Sequence, residues 1–293
     1  MKQLLTKVLC LLLIGGFSLS AQAQFSNNWR TKEGNFEFGS MAGLSFYLGD
    51  IVGSPLQWQA YRPCAGLTAR YAKSKFWNVR SSFTYANIAG DDALSTSISR
   101  HERNLSFKSS ILELAVGAEI NLFGFEPVST TKKFTPYGFA GIAVYHFNPK
   151  ALYKGTWYAL QPLGTEGQGI PGYGQKYKLT QLSIPFGGGL KVGLRMSDGN
   201  FVTISGEFGI RKTFTDYLDD LSGKYVDLAY LEKNNGKMAA ELSIRTDEYL
   251  GYPVTAKFDS TRGSPKNKDY YFISGITVAY IFYKKNYKYH FAH

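Results

Sequence analysis

From Gln181 to Phe214 the chain alternates apolar and polar residues with period two on both sides of a Ser197-Asp198-Gly199 turn. That pattern restricts the stretch to a β-hairpin with one greasy and one polar face. Leu182, Ile184, Phe186, Leu190, Val192 and Leu194 share one side of the first arm, while Ser183, Gly187, Gly189, Lys191 and Arg195 share the other. The second arm sets Val202, Ile204, Phe208 and Ile210 against Thr203, Ser205, Glu207 and Arg211. Residues opposed across a hairpin must point to the same side of the sheet. A two-residue Asp198-Gly199 loop would oppose Arg195 and Val202, whereas a three-residue loop opposes Leu194 and Val202, and Val192 and Ile204. The second register is therefore expected, with Gly199 in the left-handed position such loops require and Lys191 diagonal to Glu207. A soluble sandwich would bury the hydrocarbon face; a transmembrane barrel turns it to lipid and encloses the charges.

The N-terminus agrees with export. Lys2 and Lys7 precede an apolar run, Val8 to Leu19, and then Ala21-Gln22-Ala23, a signal-peptidase pattern. The run falls short of the ~20 residues a membrane-spanning helix needs, so residues 1–23 are read as a cleaved signal peptide and 24–293 as the mature chain. Cleavage removes the two lysines and lowers the formal charge from +11 to +9. Cys64 is then the remaining cysteine, so no internal disulfide is expected. The basic balance is spread along the chain without the cluster a nucleic-acid site shows, and 21 Tyr and 21 Phe with abundant Gly suit aromatic girdles.

Extending the hairpin's alternation in both directions gives strands at about 36–48, 64–71, 76–88, 107–122, 136–147, 181–196, 201–214 and 270–283. The fold class expected is all-β: a single eight-stranded antiparallel transmembrane β-barrel with long extracellular loops. In the strand at 107–122, Leu112, Leu114, Val116, Ala118 and Ile120 face out and Glu113, Glu119 and Asn121 face in. The strand at 136–147 is less regular; Tyr137, Phe139, Ala143 and Tyr145 are assigned to lipid, although Ile142 and Val144 blur the pattern. Residues 148–180 and 215–269 are long irregular connections, the second holding a short helix within Lys237–Leu250. Alternate connections are long, which places both termini and the short turns on the periplasmic side.

An eight-stranded barrel has room for side chains but not for a wide channel. The inward charges Arg80, Glu113, Glu119, Lys191, Glu207 and Arg211 are therefore expected to satisfy one another rather than to line an ion path. His101, His146, His290 and His293 are the histidines available for catalysis, and none has a local nucleophile motif. Asp216, Asp219 and Asp220 lack the ligand spacing of a calcium loop and read as turn residues. No enzyme activity, cofactor, metal, small-molecule substrate or nucleic-acid partner is expected.

Several stretches are more particular. They are Thr135-Pro136-Tyr137, Phe147-Asn148-Pro149-Lys150-Ala151, Gln161-Pro162-Leu163-Gly164-Thr165-Glu166-Gly167-Gln168-Gly169, Ser183-Ile184-Pro185-Phe186-Gly187 and the run Arg211 to Asp220. With these the mature chain resembles the PorG-like outer-membrane proteins of Bacteroidota associated with type IX secretion and gliding. The resemblance implies a barrel that sits in outer-membrane lipid and contacts a periplasmic PorK/PorN-like ring. Given periplasmic termini, such a ring would meet the connection Phe123 to Thr135 and the tail Lys284 to His293. Phe123, Phe125, Lys132, Lys133, Tyr287 and Tyr289 combine apolar anchors with charge and are the candidate contact residues.

Overall fold

In the computed structural model, which describes residues 34–55, 57–127, 129, 131–254, 260–266 and 268–282, eight long strands close on themselves. They are β1 (Asn35–Leu48), β2 (Arg62–Ala72), β3 (Trp77–Asp91), β4 (Ser106–Asn121), β5 (Phe134–His146), β8 (Thr180–Arg195), β9 (Phe201–Thr213) and β10 (Tyr270–Phe282). Each pairs antiparallel with its neighbours, and β1 pairs β10 from Phe36↔Phe282 to Leu48↔Tyr270, so the barrel has no free edge. The expected signal peptide and the tail carrying Tyr287 and Tyr289 lie outside the described residues.

The alternation in sequence is realised as a radial one. Phe38, Leu67, Phe83, Leu114, Val116, Leu182, Leu190, Ile276 and Val278 are exposed on the outer surface, while Glu37, Arg70, Arg80, Glu119, Lys191 and Arg211 are buried inside. An apolar exterior around a charged interior is the arrangement of an outer-membrane-type barrel. Phe76, Trp77, Phe123 and Phe134 are exposed at the short-turn end, where Lys75 lies over Phe76 at 5.2 Å and Lys73 over Trp77 at 5.7 Å. The β8–β9 hairpin takes the three-residue turn: Leu194 opposes Val202, Val192 opposes Ile204, and Gly199 has φ +82°.

One facing is the reverse of the sequence expectation. Tyr137, Phe139, Ala143 and Tyr145 of β5 point inward, and Ile142 and Val144 point out. The reason lies on the neighbouring strands. Gly187, Gly189 and Gly209 leave the inner wall without side chains opposite β5, and a Cβ at these positions would come within 3.0 Å of the Phe139 or Tyr137 rings. Three glycines thus make the space that two aromatic rings fill, which outweighs the preference of a ring for lipid.

The long connections carry structure of their own. β6 (Lys150–Tyr153) and β7 (Thr156–Ala159) form a small hairpin that extends the β4 edge through Lys108↔Lys150. Its Lys154-Gly155 turn has both residues at positive φ, 48° and 80°. This is the primed two-residue geometry, but with Lys in place of the Asn or Asp that would announce it. Short helices α1 (Ile98–Arg103), α2 (Leu160–Leu163), α3 (Leu228–Asn235), α4 (Lys237–Ser243) and α5 (Thr246–Leu250) complete the loops, the last two filling the helical stretch expected at Lys237–Leu250.

Two glycine substitutions separate steric from conformational demands. Gly199→Ala meets open space and strained φ, costing about 1–2 kcal/mol. A Cβ at Gly187 would stand 2.2 Å from the Phe208 carbonyl oxygen, so Gly187→Ala must displace a strand and should cost more. Urea unfolding of the two variants in lipid vesicles checks the ranking; equal losses would refute the packing account of β5.

Candidate functional site

The barrel's functional parts are its charged interior and the structures that close its two ends. Within the strands, Glu37, Glu113, Glu119 and Glu207 face Arg70, Arg80, Lys191 and Arg211, four acids to four bases, all buried. Glu119 is the centre. It accepts from Arg70 Nε at 3.1 Å, Asn78 Nδ2 at 2.8 Å and Lys191 Nζ, and Arg80 Nη1 lies 3.7 Å away. Arg70 and Arg80 are directly opposed across the β2–β3 ladder, a like-charge pairing that disfavours the sheet unless an anion stands between them. Glu119 is that anion.

The remaining contacts spread the network around the wall. Arg80 Nη2 donates to both oxygens of Glu207 at 3.0 Å, and the Tyr137 hydroxyl donates to Glu207 Oε2 at 2.9 Å. Arg80 also lies over the Phe139 ring at 4.1 Å. Arg70 reaches Ser205 Oγ at 3.2 Å and Glu37 at 3.5 Å. Nearer the long loops, Glu113 accepts from Arg211 Nε and Nη2 at 3.3 Å and from the Tyr271 hydroxyl at 2.5 Å. All six interior residues expected from sequence are therefore inside and paired, but Lys191 joins Glu119 rather than its diagonal neighbour Glu207. Glu37 and Arg70 were missed. Their signal was available, since the β1–β2 register sets them directly opposite one another.

At the short-turn end the connection after β4 folds back into the mouth. Phe125 N donates to Lys75 O at 2.7 Å, Gly193 N to Lys133 O at 2.7 Å, and the Phe125 ring lies 4.7 Å beneath Lys191 Nζ. Phe125, expected to present an anchor to a partner, is instead buried as part of this closure, because a cation at the barrel's end needs a ring or carboxylate beside it. Phe123 and Lys133 are exposed and Lys132 is half-buried.

The long-loop end is capped by a packed core. Tyr47, Ile51, Val52, Phe107, Phe147, Leu160, Tyr177, Leu218, Leu221 and Leu242 bring four connections together over the barrel. Two arginines tie it: Arg262 bonds Glu166 at 2.9 Å, Asp220 O at 2.7 Å and Ser243 O at 3.0 Å, and Arg103 bonds Asp92 at 2.7 Å, Arg262 O at 2.7 Å and Asp50 O at 3.1 Å. Asp216, Asp219 and Asp220, read from sequence as turn residues, are buried here, and Asp219 does bond the turn two residues on. Asp219 accepts from the Tyr47 hydroxyl and from Leu221 N at 2.9 Å, Asp269 from Leu218 N at 2.9 Å, and Asp220 from Thr165 and from Tyr177 at 2.7 Å. Burial pushes the Asp219 carboxyl up to about 8, more than the Tyr47 hydrogen bond lowers it. Burial and the neighbouring Asp219 charge hold Asp269 well above the carboxylate range. Among the described residues no group of His, Cys, Asp or Glu is arranged to hold a metal ion. His101 meets Tyr249 edge to face and His146 bonds Thr180 at 3.0 Å; His290 and His293 lie outside the described residues.

Residues 24–242 match the family described as a domain of unknown function, DUF6089. The chain belongs to that family. It is similar in fold to the attachment invasion locus protein Ail of Yersinia pestis, solved with the heparin analogue sucrose octasulfate, at 11% identity and TM-score 0.39, over 85% of this chain and 99% of that one. It is also similar to OprG of Pseudomonas aeruginosa at 11% identity and TM-score 0.38, over 86% and 97% of the two chains. Neisserial surface protein A gives 8% identity and TM-score 0.37 over 83% and 95%. No curated protein sequence matches.

Two measurements follow from the geometry. Glu119→Ala leaves Arg70 opposed to Arg80 and strips Lys191, and should cost about 3–5 kcal/mol, more than Glu113→Ala, which orphans one arginine; urea unfolding in vesicles reads both. Because the folded-state value of Asp219 is raised, its stabilising contribution is complete below the ordinary carboxylate range and is lost as pH rises through about 8. Protease resistance of the cap should therefore fall between mildly acidic and alkaline pH, and Asp219→Asn should flatten that profile.

Proposed function

We propose that this chain is a non-enzymatic outer-membrane barrel of the type IX protein secretion and gliding machinery, serving as a fixed membrane station on which a periplasmic PorK/PorN-like ring docks. The observation that carries the reading is closure. An interior of mutually neutralised charge, a mouth filled by Phe125 and a loop cap with its own core leave the rims as the working surfaces. A gap of about 10 Å³ beside Arg80, Phe139 and Arg211 has room for a single water. On this reading the capped end faces outward and the short turns face the periplasm. The ring meets exposed Phe123 and Lys133 with Lys132 beside them, while Phe125 supports this surface from within; Tyr287 and Tyr289, the other candidate contacts, lie outside the described residues.

A structural barrel without machinery partners is the second reading, favoured by the lysine-covered aromatics Phe76 and Trp77, which suit lipid headgroups as well as a protein. Deletion of the gene separates the two. Type IX export should be lost with lipid A unchanged, and photo-crosslinkers at Phe123 and Lys133 should capture a ring component while one at Trp157 on the opposite rim does not. Intact export on deletion, or capture from Trp157 alone, would sink the docking reading.

A further inference from the structure

A cleft of about 340 Å³ opens on the outer side of the barrel at the long-loop rim, between the segment leading into β8 and the segment leaving β9. Its position is set by the strands. Phe214, the residue after β9, is exposed beside it, and Leu182, near the start of β8, begins the outward apolar face directly below. The cleft therefore stands where hydrocarbon gives way to headgroups. Its walls are of three chemistries. Tyr177 and Tyr217 are stacked at 4.6 Å with their rings within 8° of parallel. Lys178 and Lys268 are both exposed, and Lys268 Nζ gives a single hydrogen bond, to Pro265 O at 3.1 Å. Asp216 lies at the back, 2% exposed, and its Oδ2 makes no hydrogen bond.

A buried carboxylate oxygen without a donor is costly to leave unmatched, and it lies in the wall of a cleft rather than in packed core. A ligand hydroxyl or amine satisfies it. Tyr177 is held between Phe147 and Tyr217, so half-buried Tyr217 is the ring left to meet the apolar face of a sugar, and two ammonium groups at the entrance suit a phosphate. Burial lifts the Asp216 carboxyl to about 6, which leaves it an acceptor at neutral pH.

We propose that this cleft binds a phosphorylated sugar, supplied by the glycolipid headgroup of the outer leaflet, with the phosphate on Lys178 and Lys268, the sugar against Tyr217 and a sugar hydroxyl on Asp216. The inference rests on the outward orientation of the capped end and not on the secretion role. A barrel that binds glycolipid and is dispensable for export would retain this site and lose only the docking reading.

The test uses the full mature chain in detergent with four probes: diphosphoryl lipid A, dephosphorylated lipid A, glucosamine 1-phosphate and phosphatidylglycerol. Binding is read by native mass spectrometry and by thermal shift. Diphosphoryl lipid A should bind, and the Lys178→Ala/Lys268→Ala double variant, altered only at exposed side chains, should bind it about tenfold more weakly with an unchanged unfolding midpoint in the absence of lipid. Asp216→Ala should weaken binding too; where that variant misfolds, the lysine variant decides alone. Equal binding of phosphatidylglycerol, equal binding of dephosphorylated lipid A, or wild-type affinity in the lysine variant would overturn the proposal. Glucosamine 1-phosphate bound as tightly as lipid A would overturn the lipid source.

Discussion

A carboxylate held among three cations is the interaction on which the rest of this barrel depends. The β2–β3 register opposes Arg70 and Arg80, and that register cannot slip by one residue without turning the hydrocarbon of one strand inward. The cost of two facing guanidinium groups must be met by an anion from a third strand. Glu119 supplies it from β4 and also takes Lys191 from β8. One side chain thereby couples four strands of the wall. Glu37 and Glu207 balance the remaining charge, so the interior is neutral as a set while no member of it is dispensable.

Neutrality inside and hydrocarbon outside together explain the two closures. Lys191 sits near the short-turn mouth, and the connection after β4 returns to cover it with the Phe125 ring. At the other end the interior changes from charged to apolar: Met41, Cys64, Ala86, Ile111 and Ile273 pass without a break into Tyr47, Ile51, Phe107, Leu218 and Leu242 of the cap. The loops are long because they build this second core. Its cost is visible in the buried acids Asp216, Asp219, Asp220 and Asp269, which outnumber the arginines that tie the cap. The cap is therefore the part of the molecule whose packing is expected to respond to proton concentration, while the wall beneath is held by matched charge.

The same division separates two surfaces. The short-turn rim exposes Phe123 and Lys133, and at the long-loop rim aromatic stacking, two lysines and an unmatched carboxylate oxygen meet in one cleft. On the readings proposed above, the first would meet a protein partner and the second a small polar headgroup. Both sit at the edge of the apolar band, so each is placed by strand length.

By itself the sequence determined the barrel: period-two alternation set which residues of the β8–β9 hairpin and of β4 face lipid, turn chemistry at Gly199 set the hairpin register, and the inward positions of Arg80, Glu113, Glu119, Lys191, Glu207 and Arg211 followed from the same parity. Those are local properties, carried by neighbours one or two residues apart. Tertiary structure alone decided what depends on residues distant in the chain. Tyr137 and Phe139 turn inward because Gly187 and Gly189 on the paired strand β8 and Gly209 on β9 vacate the space, and the alternation within β5 carries no trace of that vacancy. Lys191 chooses Glu119 over Glu207, Phe125 becomes a closure rather than an anchor, and polar-looking aspartates enter a core because Tyr47, Leu221 and Leu218 bring donors to them there. Periodicity reports the side of the sheet a residue is on; it carries no information about what stands across the barrel, and that is where the charges and rings find their partners.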